Sequence, residues 1–377
     1  MPIDFNNIQT PCYVIDEVLL RNNLELINQV KKAAAIDILV ALKAFSNWGV
    51  FPIFKEYGFG ASASSINEAR LAFEELGVRT HTYSPAFEDR TIPDILRYSS
   101  HISFNSINQL RKYFGMASQN GVSIGLRVNP EFSDSPYDIY NPCKPGSRFG
   151  ITAEQFGDAL PQGVEGLHFH TLFEADSFEL EKLLAVFLKK FGKFLFKLKW
   201  VNMGGGHLMT KKDYDVRHLI KLLTDFKNHY DVRIILEPGS AFTYQTGYLV
   251  STILDIVENR GIKTAILDVS FTCHMPDCLE MPYKPVIWGA TDEIAGKPTY
   301  RMGGISCLAG DYMGNWSFDK ELTAGDKIIF DDMIHYTTVK TTMFNGVSHP
   351  SIGIWNDTSG FRLIRAFNYQ DYKNRLS

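Results

Sequence analysis

Apolar and polar positions follow two alternating rhythms along the longer, N-terminal part of this chain. Short runs rich in aliphatic and β-branched residues, at 38–44, 59–64, 80–84, 101–105, 122–128, 166–171, 199–203 and 232–236, have the length of buried strands. Most are separated by stretches whose apolar residues recur at helical spacing, 18–32 and 66–76 among them. Eight strand and helix units over this length predict a (β/α)8 barrel, although a doubly wound open sheet can be drawn through the same runs. After about residue 246 helical spacing thins out, and turns separate β-rich segments at 248–256, 264–269, 284–288, 327–330 and 336–344. The chain thus reads as α/β: a barrel over 17–246, then a C-terminal β-sandwich or β-barrel domain over 247–377. Residues 1–16, with an entry strand at 11–15, can add a strand to that second domain.

In such a barrel, function gathers at the C-terminal strand ends. Lys43, the serine-rich turn at 62–65, His170, Gly204-Gly205-Gly206 and Glu237 all fall there. Lys43 closes the apolar run Ile38-Leu39-Val40-Ala41-Leu42. An ammonium held against apolar neighbours loses hydration, so its pKa falls and a nucleophilic amine becomes accessible; a strand-end lysine can also simply snorkel to solvent. The three glycines would let backbone N–H groups approach an oxyanion such as phosphate, or would form a flexible loop. Glu237, in Glu237-Pro238-Gly239-Ser240, can be a general base, an ion-pair partner, or the anion that keeps a ring nitrogen protonated. His168 and His170 are two apart, hence on one face of a strand, and suggest a different chemistry. They could be two ligands of a metal-dependent hydrolase, with His207 or Glu237 as the third, but that reading has no use for the glycine triplet or the lysine. The irregular stretch 129–148, with four prolines, follows the fifth strand and is expected to be an active-site loop.

Composition narrows the partners. The chain has 377 residues, 45% hydrophobic and 21% charged, enough for a large domain and a smaller one. A net charge of -4 without any basic run argues against nucleic acid or an anionic membrane and leaves a small molecule. Cys12, Cys143, Cys273, Cys278 and Cys307 are odd in number, scattered and without a CxxC pair, which suits a reducing compartment. Met1-Pro2-Ile3-Asp4-Phe5 carries no basic stretch leading into an apolar one, and no run approaches the ~18 residues of a membrane span. A cytoplasmic location is expected.

Taken in order, these motifs resemble those of the fold-type III pyridoxal phosphate decarboxylases, which include ornithine, arginine and diaminopimelate decarboxylases and are related to alanine racemase. Ala41-Leu42-Lys43-Ala44 matches the family's cofactor-binding lysine, and His168-Phe169-His170 the segment whose last histidine stacks on the cofactor ring. The glycine triplet matches the phosphate-binding glycines, and Glu237 the carboxylate facing the pyridine nitrogen. Ser306-Cys307-Leu308-Ala309-Gly310-Asp311 resembles the segment bearing the catalytic cysteine; Tyr336, eight residues before Phe344-Asn345-Gly346, matches a tyrosine that reaches the phosphate. Ser240 replaces the usual arginine after Glu-Pro-Gly, and Leu308 replaces a common acidic residue, so diaminopimelate decarboxylase fits less well. The stretch 268–285, with His274-Met275-Pro276-Asp277 and Glu280-Met281-Pro282-Tyr283, is instead similar to the family branch acting on carboxynorspermidine and carboxyspermidine in polyamine biosynthesis.

The resemblance implies pyridoxal 5'-phosphate on Lys43, with His170 over the ring and Glu237 favouring a protonated ring nitrogen. It implies phosphate contacts from Gly204, Gly205, Gly206, Gly239, Ser240 and Tyr336, and return of a proton to the α-carbon by Cys307 or Lys43. Acidic residues such as Asp277, with Asp268 or Glu280, could pair with the ammonium groups of a polyamine. Asp311, Arg148 and His274 complete the substrate-side candidates, and no metal is called for. In the relatives the cysteine-bearing segment enters the neighbouring subunit's site, which implies a homodimer. A racemase using the same lysine, a non-catalytic cofactor carrier, and a decarboxylase of another basic amino acid remain as alternatives.

Overall fold

In the computed structural model, residues 3–133, 135–281 and 283–377 are described. Met1, Pro2, Asp134 of the predicted loop and Pro282 of Glu-Met-Pro-Tyr lie outside the described residues. After β1 (Cys12–Asp16) come eight parallel strands: β2 (Asp37–Ala41), β3 (Gly60–Ala63), β4 (Thr80–Tyr83), β5 (Ser99–Phe104), β6 (Ser123–Arg127), β7 (Gly166–His168), β8 (Trp200–Asn202) and β9 (Arg233–Leu236). Each pairs with the next, and β9 returns to β2 through Asp37↔Ile235 and Ile38↔Leu236. That last pairing closes the barrel and removes the open sheet. The surrounding helices bury one stripe each. In Ser177–Phe191 the inward residues Leu180, Leu183, Leu184, Phe187 and Phe191 recur every three or four positions, and Asp176 caps the start by accepting from Phe178 N and Glu179 N.

The barrel interior is aromatic and polar as well as aliphatic. Trp200 lies across it where Gly125 and Gly166 have no side chains: a Cβ at either would stand 2.2 Å and 2.0 Å from the indole. His81 and His101 meet the same ring edge-on at 5.1 Å and 5.5 Å. Trp200 therefore fills the space that layers of branched residues usually occupy, and small residues on two neighbouring strands are the condition for it.

Two predicted strands run too long. The run 38–44 leaves the ladder at Ala41, because Ala44 N and Phe45 N both turn back to Ala41 O, at 2.9 and 3.3 Å. The run 166–171 ends at His168. Lys43 and His170 consequently stand two residues beyond their strands, in loops at the C-terminal mouth.

Compactness divides the chain into 23–242 and the remainder, residues up to Asn22 with 243–377. The second unit holds one mixed sheet. Around β10 (Gly247–Asn259) and β11 (Ile262–Leu267) it adds β12 (Ala290–Thr291), β13 (Thr299–Gly303), β14 (Tyr312–Phe318), β15 (Lys327–Asp331), β16 (Ser351–Asn356) and β17 (Gly360–Arg365), in the order β12-β14-β13-β11-β10-β1-β16-β17 with β15 also on β10. β1 is antiparallel to β10 and parallel to β16. Phe5, Ile8, Cys12, Val14, Tyr248, Val250 and Trp355 form a core beneath it. The predicted β-rich segments 284–288 and 336–344 are not strands. Only Ile287 bridges to Phe330, and Tyr336 takes a positive φ that no strand accommodates. Their apolar residues Ile287 and Met343 are buried without a ladder.

Candidate active site

Lys43 is exposed to water, and its Nζ lies 3.2 Å from His170 Nε2. The protonation of this pair follows from a third group. Gly205 N–H donates to His170 Nδ1 at 2.8 Å, so Nδ1 carries a lone pair. Burial, with the nearby Arg127 charge, holds the imidazole pKa well below its usual value, so the ring is neutral and its one proton is on Nε2. Nε2–H then faces Lys43 Nζ at 3.2 Å, a contact that favours the neutral amine. The lysine pKa is pushed the same way, down, chiefly by desolvation and then by Arg127, against the pull of Glu237 and Glu68. From the sequence, apolar neighbours are expected to do this. The structure surrounds the amine with an imidazole, a guanidinium and carboxylates, and desolvation in the cleft supplies most of the effect.

Glu237 is mostly buried and its carboxyl is pushed up to about 7 by that burial, offset by the Asn202 amide, Lys43, the Ser62 hydroxyl and Arg127. Asn202, the last residue of β8, donates from Nδ2 to Glu237 Oε1 at 2.6 Å and to His81 Nδ1 at 2.7 Å, while its Oδ1 accepts from Gly204 N at 2.8 Å. Arg127 ends β6, is buried, donates to His170 O at 3.1 Å and is clasped between the rings of Tyr83 and Phe149 at 4.5 and 4.7 Å. None of Arg127, Asn202 and His81 was singled out in the sequence.

The glycine triplet is dictated first by the protein itself. A Cβ on Gly204, Gly205 or Gly206 would come within 2.5 Å of Phe169 O, 2.4 Å of Glu237 O and 2.3 Å of Leu172 O. Gly204 N–H and Gly205 N–H already serve Asn202 and His170. The loop is thus a clasp between the ends of β7 and β9, and it aligns His170 with Glu237.

His168 and His170 do not form the pair that the metal reading requires. His168 stays inside the barrel against Tyr83 and His81, with ring centroids at 5.3 and 5.5 Å, whereas His170 has left the strand for Lys43. Among the described residues no group of three or more histidine, cysteine or carboxylate side chains is placed to hold an ion. Arg148 lies over Phe149 at 4.3 Å, and its carbonyl accepts from Asn105.

Cys307 and the candidate residues Asp311, Asp268, His274, Asp277 and Glu280 belong to the second unit. Cys307 is exposed and its N–H donates to Asn345 Oδ1 at 2.8 Å. Asp311 is buried and accepts from Thr272 N and Ser306 N, both at 3.1 Å, which anchors the cysteine segment. Asp268 departs from its expected role: its carboxylate accepts from Thr10 Oγ1 at 2.6 Å, Ser251 Oγ at 2.7 Å and Thr252 N at 2.9 Å, so both oxygens bolt the sheet together. His274 departs likewise. Its ring is buried, Nδ1 accepts from Ser270 N, and burial lowers its pKa to about 4. Asp277 and Glu280 both pair with Lys340, so a polyamine ammonium would have to exchange with that side chain.

A lysine whose pKa is lowered, an imidazole beside it, and a buried carboxylate on the adjoining strand end thus meet at the C-terminal end of the barrel. The chain belongs to the pyridoxal-dependent decarboxylases: the family's pyridoxal binding domain matches residues 21–244. At full length it is 46% identical to carboxyaminopropylagmatine decarboxylase of Synechocystis sp., over 98% of this chain and 96% of that one. It is 44% identical to carboxynorspermidine/carboxyspermidine decarboxylase of Campylobacter jejuni, over 98% and 99%. The crystal structure of carboxynorspermidine decarboxylase complexed with norspermidine from Campylobacter jejuni superposes with a TM-score of 0.91 at 42% identity, covering 98% of this chain and all of that one. Among the described residues no helix is long and apolar enough to cross a membrane.

Proposed function

We propose that this decarboxylase acts on a carboxylated polyamine, carboxynorspermidine or carboxyspermidine, with pyridoxal 5'-phosphate held on Lys43, as a homodimer. The observation that carries the reading is the Lys43–His170 pair, a lysine amine with a lowered pKa 3.2 Å from an imidazole, at the end of a barrel in a chain that matches its polyamine-processing relatives over nearly its whole length. The residues fit the cofactor: an amine for its aldehyde, a carboxylate for its ring nitrogen, and backbone N–H groups for its phosphate. With the Gly204 and Gly205 N–H groups already engaged, Gly206, Gly239 and Ser240 are left to hold the phosphate.

The bound cofactor supplies an electron sink for the pair of electrons left on the α-carbon when CO₂ departs. The chain's own groups do the rest. Lys43, its pKa lowered chiefly by desolvation, would be the amine that holds the cofactor's aldehyde. His170, fixed in one tautomer by Gly205, would cover the ring and cannot rotate away without breaking that bond. Glu237 as an anion favours a protonated ring nitrogen through opposite charge. Cys307, or Lys43 once displaced, returns a proton to the α-carbon, so that one carboxylate is exchanged for one hydrogen.

A second reading is favoured by the Synechocystis relative: a substrate whose far end is a guanidinium rather than an ammonium. The test is CO₂ release from pure protein given carboxynorspermidine, carboxyspermidine, carboxyaminopropylagmatine, ornithine and diaminopimelate. Highest kcat/KM on either of the first two supports the proposal. Highest on the third establishes the guanidino reading, and preference for the last two defeats both.

A further inference from the structure

Asn202 has one self-consistent hydrogen-bond assignment. Its Oδ1 faces the N–H of Gly204, a donor, so its amino group must face the other way. That group has two hydrogens and two acceptors within reach, Glu237 Oε1 at 2.6 Å and His81 Nδ1 at 2.7 Å. Reversing the amide would set an oxygen against a carboxylate and an N–H against an N–H. His81 is equally constrained. Its Nδ1 accepts from Asn202, so its proton is on Nε2, which meets Ser103 Oγ at 2.7 Å. Neutral His81, 3.4 Å away, gives Glu237 no ion pair, which leaves the nearby Arg127 and Lys43 and the Asn202 and Ser62 donors to favour its anion. A buried carboxylate with no donor would take up a proton. The groups facing Glu237 from the neighbouring strand ends are Ser62, Lys43 and Arg127, with Asn202 and His81.

We propose that Asn202 is a positioning residue for the cofactor's ring nitrogen: locked by Gly204 and His81, its amino group holds Glu237 as the anion that keeps that nitrogen protonated. This rests on the reading that pyridoxal phosphate loads on Lys43. Asn202 touches neither cofactor nor substrate in this role; it acts through Glu237. Ser103, His81, Asn202 and Glu237 then form one chain of hydrogen bonds from the barrel interior to the site, in which every donor has a single direction.

The test uses holoenzyme carrying cofactor labelled with ¹⁵N in the ring, whose nitrogen resonance is followed against pH. In the natural protein the ring nitrogen stays protonated through neutral pH. In Asn202→Leu the carboxyl retains its proton instead, and ring deprotonation moves to lower pH by about one to two units, the weight of one hydrogen bond to a charged acceptor. His81→Phe, which frees the second amide N–H but leaves the Gly204 lock, gives a smaller shift in the same direction, and His81→Gln, with an acceptor restored, recovers it. A ring nitrogen that titrates in Asn202→Leu as in the natural protein overturns the proposal. Should that variant fail to fold or load, an unshifted His81→Phe overturns it alone. Failure of the natural protein itself to load cofactor on Lys43 strikes the proposed function, a separate outcome seen by borohydride fixation before any titration.

Discussion

Gly205→Ala separates a glycine needed for ligand approach from one needed for packing. The backbone of Gly205 is outside the left-handed region, so alanine is not strained in φ, and the whole effect is steric. The new methyl would lie 2.4 Å from Glu237 O and 3.3 Å from His170 Cε1. Carbon and oxygen settle at roughly 3.3 Å or more, so the loops after β8 and β9 must part by nearly ~1 Å. The displaced backbone carries Glu237 on one side and the N–H that orients His170 on the other. Overpacking of this kind costs about 1–3 kcal/mol of stability, and a shift of about 1 Å in positioning groups costs on the order of 10²-fold in rate. Thermal unfolding, cofactor release followed by absorbance, and CO₂ evolution measure the three consequences. Gly115→Ala is the control: nothing lies within 4 Å of its Cβ, and as a position within helix Ile107–Gln119 it should gain up to about 1 kcal/mol. Natural cofactor affinity, turnover and melting temperature in Gly205→Ala would refute the clasp.

Other expectations are independent of that one. Asp268→Ala leaves two hydroxyls and one N–H without their acceptor, so it should lower stability by about 3–5 kcal/mol in denaturant titration while leaving the KM of whatever folded enzyme remains unchanged; a raised KM at natural stability would restore its substrate role. The cofactor-free protein should lose stability as pH falls from about 6.5 towards 4.5. His81, His168 and His170, held well below their usual pKa, and His207, held at about 4, stay neutral when folded but charge when unfolded, each worth at most about 1.4 kcal/mol per pH unit, whereas Glu237, at about 7 when folded, offsets one of them over that range. A flat melting profile there contradicts the neutral assignments. Cys307→Ala should cut turnover far more than cofactor retention, and equal loss of both argues against proton return by the thiol.

The parts of the site that were readable in the sequence are those that announce themselves locally. Lys43, His170, the triplet and Glu237 each sit at the end of an apolar run, where the barrel rule directs attention. Arg127 and Asn202 obey the same rule as the last residues of β6 and β8. They passed as ordinary strand residues, because their partners come from other strands and exist only once the barrel has closed. His81 is less legible still, since its ring nitrogens are assigned through residues 22 and 121 positions away. Distance in sequence also explains the misread carboxylates. Asp268 meets Thr10 across 258 residues, and Lys340 reaches Asp277 across 63, so a window around 268–285 shows only unpaired acids. The segment 336–344 misled for another reason: its β-branched residues satisfy strand propensity, but the positive φ at Tyr336 is a tertiary choice that propensity does not see.

The proposed function stands on Lys43 as the amine that captures the pyridoxal cofactor. Borohydride reduction of the cofactor-loaded protein, followed by peptide mass analysis, reads this directly. A pyridoxyl mass on the peptide containing Lys43, abolished in Lys43→Ala, is expected; reduced cofactor recovered on a different lysine, or on none, contradicts it.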